Sequence, residues 1–306
     1  MYSCADLHCH TTASDGVLSP GQLLALAREQ GVELLAVTDH DTVAGVRYLL
    51  SLDEDPGLTL VAGTELSCLW GNLEIHVVGL GFQLSEPGVD DCLARQHQAR
   101  WQRCERIADK VARRLSGVTA DQILTGAMAL ARNAQLATGT DFMPDPDMLQ
   151  IGRPHLADWL VQEGLVPHRE AAFRKYLGHR HMGNAGSHWP HITTVVDWIR
   201  GWGGVPVLAH PGKYKLSGMK LRALVEDFAR AGGLAMEVVG CLQPWGERNK
   251  LAGLCGQYGL AASTGSDFHG PWSDRIRPGR LGPIPEGCRP VWELFDDRIL
   301  NPSFRK

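Results

Sequence analysis

The run Asp6-Leu-His8-Cys-His10-Thr-Thr-Ala-Ser-Asp15-Gly, residues 6–16, decides the reading of this chain. Residues 2–7 read as a β-strand, and two imidazoles leave it two positions apart. In extended backbone alternate side chains share a face, so His8 and His10 can grip one ion while Cys9 points away. Outward from this point the pattern alternates. Ser19 and Pro20 supply an N-cap and a first helical position for a helix over 21–30, whose Leu23, Leu26 and Ala27 stripe ends at Gly31. Strands are expected over 33–38, 58–62 and 73–79, with a helix over 42–52. The alternation resumes with a helix over 193–202, a strand over 205–209 and a helix over 216–231. A strand over 234–239, a helix over 247–257 and a strand over 260–263 complete it. Seven or so β-type segments with connecting helices predict a parallel α/β sheet closed as a barrel.

A His-x-His pair alone says little, but this one has company. Thr38-Asp39-His40-Asp41 closes the second strand, Gly63-Thr64-Glu65 follows the third, and His76 lies in the fourth. Ala209-His210-Pro211 ends a later strand, and Ser266-Asp267-Phe268-His269 ends the last. Imidazoles and carboxylates at strand termini lie where β/α barrels build active sites. Asp39 and Asp41 also read as caps of the following helix. The joint set, all nitrogen and oxygen donors without thiolate, predicts a polynuclear site for Mn²⁺, Zn²⁺ or Fe²⁺. Coordination lowers the pKa of water from about 15.7 to about 7, which makes hydroxide available as a nucleophile on phosphorus.

Residues 90–191 interrupt the series with helical pattern and no convincing strand. Leu93, His97, Trp101, Cys104, Ala108, Val111 and Leu115 step by three and four, which predicts one long amphipathic helix. Residues 95–114 carry seven basic and two acidic side chains, a local charge of +5 in a protein whose total is −4. This is a solvated helix face or a basic cover over a phosphate site. Lys213, two residues after the His-Pro pair, is a candidate phosphate contact or a surface lysine. Trp245 and the Glu237–Gly240 strand end are candidate contacts to a base or ribose, the other reading of a strand-end aromatic being packing.

The whole-chain numbers bound the rest. With 306 residues, 44% hydrophobic and 21% charged, a disordered chain, a coiled coil and a collagen-like fibre are excluded. Thirty basic against 34 acidic residues leave no global field toward nucleic acid or an anionic membrane, so a polyanion must be bound locally. Residues 251–266 lack charge but are broken by Gly, Gln and Ser, so no bilayer span is expected. The first residues lack a signal-peptide layout, and eight cysteines without a Cys-x-x-Cys pair read as reduced thiols, so a cytoplasmic location is expected.

His8-x-His10 with Asp15, Thr38-Asp39-His40, Glu65, His76, Ala209-His210-Pro211 and Asp267-x-His269 resemble the polymerase and histidinol phosphatase (PHP) family of metal-dependent phosphoesterases. The resemblance implies a distorted (β/α)7 barrel, residues 1–89 and 192–306, with an inserted helical subdomain at 90–191 covering the active site. It implies up to three divalent metal ions, manganese above zinc or iron. His8, His10, Glu65 and Asp267 would hold the first; Glu65, His76 and His210 the second; Asp15, His40 and His269 the third, with Glu65 bridging. The insertion, with Ile151-Gly152-Arg153-Pro154-His155 and Tyr176-Leu177-Gly178, is similar to the branch of nucleoside 3′,5′-bisphosphate phosphatases that are also 5′→3′ exoribonucleases. Arg153 and His155 would then meet the substrate phosphate as catalytic and binding groups; the other reading is a helix start at Pro154 and a core imidazole. Position 15 is Asp where other branches carry His, and the Gly183–Ser187 stretch is looser than the branch pattern. The expected partner is a small nucleotide, with short RNA as a further substrate and no obligate protein partner. The alternatives are a histidinol-phosphate phosphatase and a non-catalytic module of the same barrel.

Overall fold

The computed structural model describes residues 2–52, 55–139, 142–143, 145–178 and 188–296. Seven strands follow one another around a sheet in chain order: β1 (Ala5–Cys9), β2 (Leu34–Val37), β3 (Thr59–Trp70), β4 (Leu73–Leu80), β5 (Val205–Leu208), β6 (Ala235–Gly240) and β7 (Ala261–Gly265). Backbone hydrogen bonds from His10 N–H to Phe268 O at 2.9 Å and from Asp267 N–H to His8 O at 2.8 Å bring the two edges together, so the barrel nearly closes. Outside it lie α1 (Pro20–Glu29), α2 (Ala44–Ser51), α7 (Ile192–Gly201), α8 (Gly218–Arg230) and α9 (Trp245–Tyr258). Ser19 and Gln22 form the capping box that starts α1: Gln22 N–H donates to Ser19 Oγ and Ser19 N–H to Gln22 Oε1.

The all-parallel expectation is corrected at one strand. β4 runs antiparallel to both β3 and β5, while the other adjacent pairs are parallel. Trp70 pairs with Leu73, so only Gly71 and Asn72 turn the chain, and Gly71 takes the positive φ of 56° that the tight reversal demands. The same hairpin extends β3 eight residues past its expected end, which places Glu65 inside the strand rather than after it.

Strand periodicity sorts the apolar side chains into two layers. Leu34 and Ala36 join Leu7, Val61, Val78, Leu80, Val205, Val207 and Ala235 inside the barrel. Leu35 and Val37 face outward onto the helices with Leu23, Val46, Ile199, Leu224 and Leu254. Two register shifts break this alternation, one in β1 between Asp6 and Cys9 and one in β6 between Glu237 and Val239. The first lets Ala5 and Leu7 fill the barrel floor while His8 and His10 share the mouth above them and Cys9 stays in the outer layer.

Between β4 and α7 lie α3 (Val89–Ala112), α4 (Ala120–Ala137), α5 (Arg153–Gln162) and α6 (Arg169–Ala172), the last running into a π-turn at Phe173–Leu177. Ile107, Val111, Ile123, Leu156, Trp159 and Leu160 give these helices a core of their own. The first turns of α3 instead bury Val89, Cys92 and Leu93 against the barrel. Among the described residues no helix is long and apolar enough to cross a membrane. Gly183–Ser187, His179 and His181 lie outside the described residues.

Candidate metal centre

Glu65 is the hub of the barrel mouth. Fully buried, it offers Oε1 to His76 Nδ1 at 2.8 Å and His210 Nε2 at 2.9 Å. Its Oε2 meets His40 Nδ1 at 2.9 Å, His8 Nε2 at 3.2 Å and His10 Nε2 at 3.3 Å. Five imidazoles, four from the ends of β1, β2 and β5 and one from within β4, thus meet one carboxylate, because β3 runs up the middle of the mouth between β2 and β4.

Asp267 and Asp15 build the two flanks. Asp267 Oδ1 lies 3.5 Å from His8 Nε2 and 3.2 Å from His10 Nε2. Asp15 Oδ1 lies 3.3 Å from His269 Nε2, and its Oδ2 3.8 Å from His40 Nε2. Three clusters result: His8, His10, Glu65 and Asp267; His10, Asp15, His40 and His269; and His40, Glu65 and His76, the ligand atoms of each all within 4.8 Å of one another. All nine expected ligand positions therefore converge on one mouth. The partition differs from the expected one in two places: His10 also joins the Asp15 group, and His40 joins Glu65 and His76, where His210 reaches only through its contact with Glu65 Oε1.

The donor atoms suit a cation better than they suit one another. Glu65 Oε2, Asp15 Oδ1, His10 Nδ1, His40 Nδ1 and His210 Nδ1 are buried without a hydrogen-bond partner among the described residues, although several lie close to a candidate donor or acceptor. Such orphaned lone pairs are costly unless an ion takes them. The local field points the same way. Burial alone would discharge His10, but the carboxylates of Asp267 and Glu65 outweigh it and bring its pKa to about 9. Burial likewise opposes ionisation of Glu65 and Asp15, yet the surrounding imidazoles hold both well below the usual carboxylate range. This is a mouth built to hold positive charge beside ionised carboxylates, as divalent cations with nitrogen and oxygen ligands require.

Surrounding residues aim these ligands. Asp39 is not a helix cap: it accepts from Thr11 N–H, Thr11 Oγ1 and Ser14 Oγ, each at 2.7 Å, and so pins the loop that carries His10 and Asp15. Asp41 is not a cap either, since the N-cap of α2 is Val43 and makes no side-chain cap hydrogen bond. Asp41 accepts from Ser67 N–H at 2.8 Å, Gln96 Nε2 at 2.9 Å and Arg100 Nε at 2.9 Å, which fastens α3 to β3 two residues beyond Glu65. His76 N–H donates to Tyr214 Oη at 2.9 Å. Asp41, His210 and Asp267 all have positive φ, a concentration of backbone strain at the mouth.

The remaining expected contacts divide. Lys213 pairs with Asp267 Oδ2, so it reaches the site through a candidate ligand. Trp245 is exposed and stacks with Arg248 at 4.9 Å. Glu237 does not face solvent; it is buried against His8 and His210, a placement that depends on the β6 register shift. On the insertion, Arg100 and Arg103 are buried in ion pairs with Asp41 and Glu74 rather than solvated. Arg153 sits among them, and no described residue accepts a hydrogen bond from it. Burial, with Arg103 and Arg100 adding to it, pushes its guanidinium down to about 10, so it keeps its charge at neutral pH. His155 Nδ1 accepts from Gly152 N–H at 3.0 Å, which leaves the neutral ring's proton on Nε2. A cavity of about 200 Å³ opens beside His210, Lys213 and Asp267, walled by Val239, Cys241 and Gln243.

The PHP domain pattern matches residues 6–118. The 5′-3′ exoribonuclease Rnm of Escherichia coli (strain K12) is 39% identical over 295 residues, covering 95% of this chain and 93% of that one. The chain belongs to the PHP family of metal-dependent phosphoesterases. A second PHP relative, the 3′,5′-nucleoside bisphosphate phosphatase of Chromobacterium violaceum, is 33% identical over 298 residues, covering 97% of this chain and 98% of that one. Among solved structures, a Chromobacterium violaceum chain described as an amidohydrolase with bound sulfate and no metal superposes with a TM-score of 0.81 at 32% identity, covering 98% of each chain. A Bifidobacterium adolescentis chain, described as a candidate metal-dependent phosphoesterase, follows at a TM-score of 0.71, 26% identity and 96% coverage of both.

Proposed function

We propose that this phosphoesterase removes the 3′-phosphate from nucleoside 3′,5′-bisphosphates such as adenosine 3′,5′-bisphosphate, and that the same site trims short 5′-phosphorylated RNA from its 5′ end. The observation that carries this reading is Arg153: a charged, half-buried guanidinium without an acceptor among the described residues, beside the imidazole–carboxylate mouth. A cationic fork held in that state is a ready phosphate ligand separate from the candidate metal ligands. Two anion sites in one mouth suit a substrate with two phosphates.

On this reading residues 90–191 act as a cover that brings Arg153 and His155 to the barrel. Arg153 grips the 5′-phosphate, and His155 donates its Nε2–H to it. Burial holds the His155 pKa below its ordinary value, so the ring works as a neutral hydrogen-bond donor rather than as a reservoir of acid. The leaving ribose oxygen then takes its proton from water. The 3′-phosphate lies against the nine-residue mouth, where divalent cations, manganese foremost and up to three in number, would supply an activated water and neutralise charge on the ester. Glu65 holds five imidazoles in register for them, and Lys213 tethers Asp267. The cavity beside His210 and Gln243 takes the nucleoside. The names of the two relatives and the sulfate bound by the Chromobacterium violaceum chain agree with this assignment. A cytoplasmic location belongs to the same reading.

The test is phosphate release from adenosine 3′,5′-bisphosphate by Mn²⁺-loaded protein, with histidinol phosphate as the comparison. Adenosine 5′-monophosphate and inorganic phosphate are the expected products. Preference for histidinol phosphate, or no turnover in fully loaded protein, would discard the reading.

A further inference from the structure

We propose that Glu237, which is not one of the nine candidate ligands, is the positioning residue that holds two of the ligand strands in register with each other. It is 6% exposed and stands inside the barrel one layer below the mouth, on the strand between those that carry His210 and Asp267. Its two oxygens have separate tasks. Oε1 lies 2.5 Å from His8 Nδ1, and Oε2 accepts from the backbone N–H of His210 at 2.6 Å.

Both contacts follow from acceptor-only chemistry. An ionised carboxylate has no proton to give, so His8 Nδ1 must be the donor. When a cation displaces the ring's other proton, the lone pair is then on Nε2, the atom that faces Glu65 Oε2, His10 Nε2 and Asp267 Oδ1. A ring fixed in the other tautomer would present N–H there and could not coordinate. At the second contact, His210 has φ 29° and ψ 54°, a conformation a β-carbon resists, and Glu237 Oε2 secures its N–H.

Two local features make room for this. The β6 register shift between Glu237 and Val239 turns the carboxylate inward. Gly265 stands behind it: a Cβ there would lie 2.3 Å from His8 Cβ and 3.1 Å from Glu237 Oε1. The lack of a side chain at 265 therefore lets β1, β6 and β7 close on the His8–Glu237 pair.

This inference rests on the reading that His8 and its neighbours hold a cation, and its test uses no substrate. Glu237→Gln keeps the size but offers one acceptor and one donor. If the amide oxygen stays on His8, the NH₂ group confronts the His210 N–H; if it turns, the NH₂ group donates to His8 Nδ1 and forces the proton onto Nε2. Isothermal titration with Mn²⁺ should therefore show the tightest site weakened about 10- to 100-fold, while circular dichroism of the metal-free variant stays native. Glu237→Asp, which keeps both acceptors but falls short by one methylene, should lie between. Independently of any variant, ¹⁵N spectra of the Zn²⁺-loaded native protein should show His8 protonated on Nδ1. Native Mn²⁺ affinity and stoichiometry in Glu237→Gln, or an Nε2-protonated His8, would overturn the assignment. A lowered melting temperature with unchanged Mn²⁺ affinity in either variant would also overturn it, by reducing Glu237 to packing. Native protein that binds no Mn²⁺ at all would remove the metal reading itself.

Discussion

The barrel rim and the inserted helices face one mouth with opposite chemistry. On the rim, Glu65, Asp15 and Asp267 gather imidazoles, and several buried donor atoms lack hydrogen bonds among the described residues. On the insertion, α3 and α5 bring arginines: Arg100 and Arg103 are each bound to a carboxylate, and Arg153 has no such partner among the described residues. On the proposed reading the rim holds cations and the insertion an anion. If that reading holds, cutting and choosing are separable, because the groups that would activate water and the groups that would recognise a second phosphate come from different parts of the chain.

The largest effect that would break this division belongs to the rim. Glu65→Ala removes the oxygens that five imidazoles share, so turnover should fall by roughly three orders of magnitude or more, with Mn²⁺ binding lost in a titration. Turnover near the native rate would show that the hub is not needed. Next comes the joint between the two regions. Arg100→Met leaves Asp41, which is fully buried, without its charge partner, and should lower unfolding free energy by about 3–5 kcal/mol in denaturant melts. An unchanged melt would mean that Gln96, Arg103 and the apolar turns dock α3 without Arg100.

A smaller effect should appear in acid. Burial alone would raise the Glu74 carboxyl, but Arg103 outweighs it and brings it to about 2, from an ordinary 4.5. A folded-state value below the unfolded one stabilises the protein at neutral pH, and that stabilisation is full above about pH 4.5 and drains as pH falls toward 2. Glu74→Gln should therefore be less stable than the native chain at pH 7, on the order of 2 kcal/mol, and should lose less on acidification across that window. Parallel acid curves for the two proteins would show that the pair contributes nothing.

Much of the rim was legible in the sequence, since strand termini, His-x-His spacing and carboxylates after β-type runs are local signals. His8, His10, His40, His210, Asp267 and His269 could be placed at one end of a barrel from these alone. What escaped depends on pairing between distant segments. The reversal of β4 follows from a two-residue turn at Gly71 and Asn72, yet it is β3–β4 register that carries Glu65 into mid-strand. Asp39 and Asp41 look like caps because caps and loop clamps use the same acceptor chemistry; only the folded chain shows Thr11, Ser67 and Arg100 as their donors. Glu237 looked like a strand-end contact to substrate, because a register shift that turns one residue inward leaves no mark in composition. A lone carboxylate in the apolar run Ala235–Gly240, between two ligand-bearing strands, was the signal available.

The decisive measurement is kcat/KM for adenosine 3′,5′-bisphosphate against adenosine 3′-monophosphate, in the native protein and in Arg153→Ala, at saturating Mn²⁺. Loss of one charge-assisted phosphate grip corresponds to about 10- to 100-fold. The native protein should favour the bisphosphate by that factor, and Arg153→Ala should erase the preference while leaving the monophosphate rate nearly unchanged. Equal native rates on the two substrates, or an Arg153→Ala variant that keeps the preference, would contradict that role for Arg153.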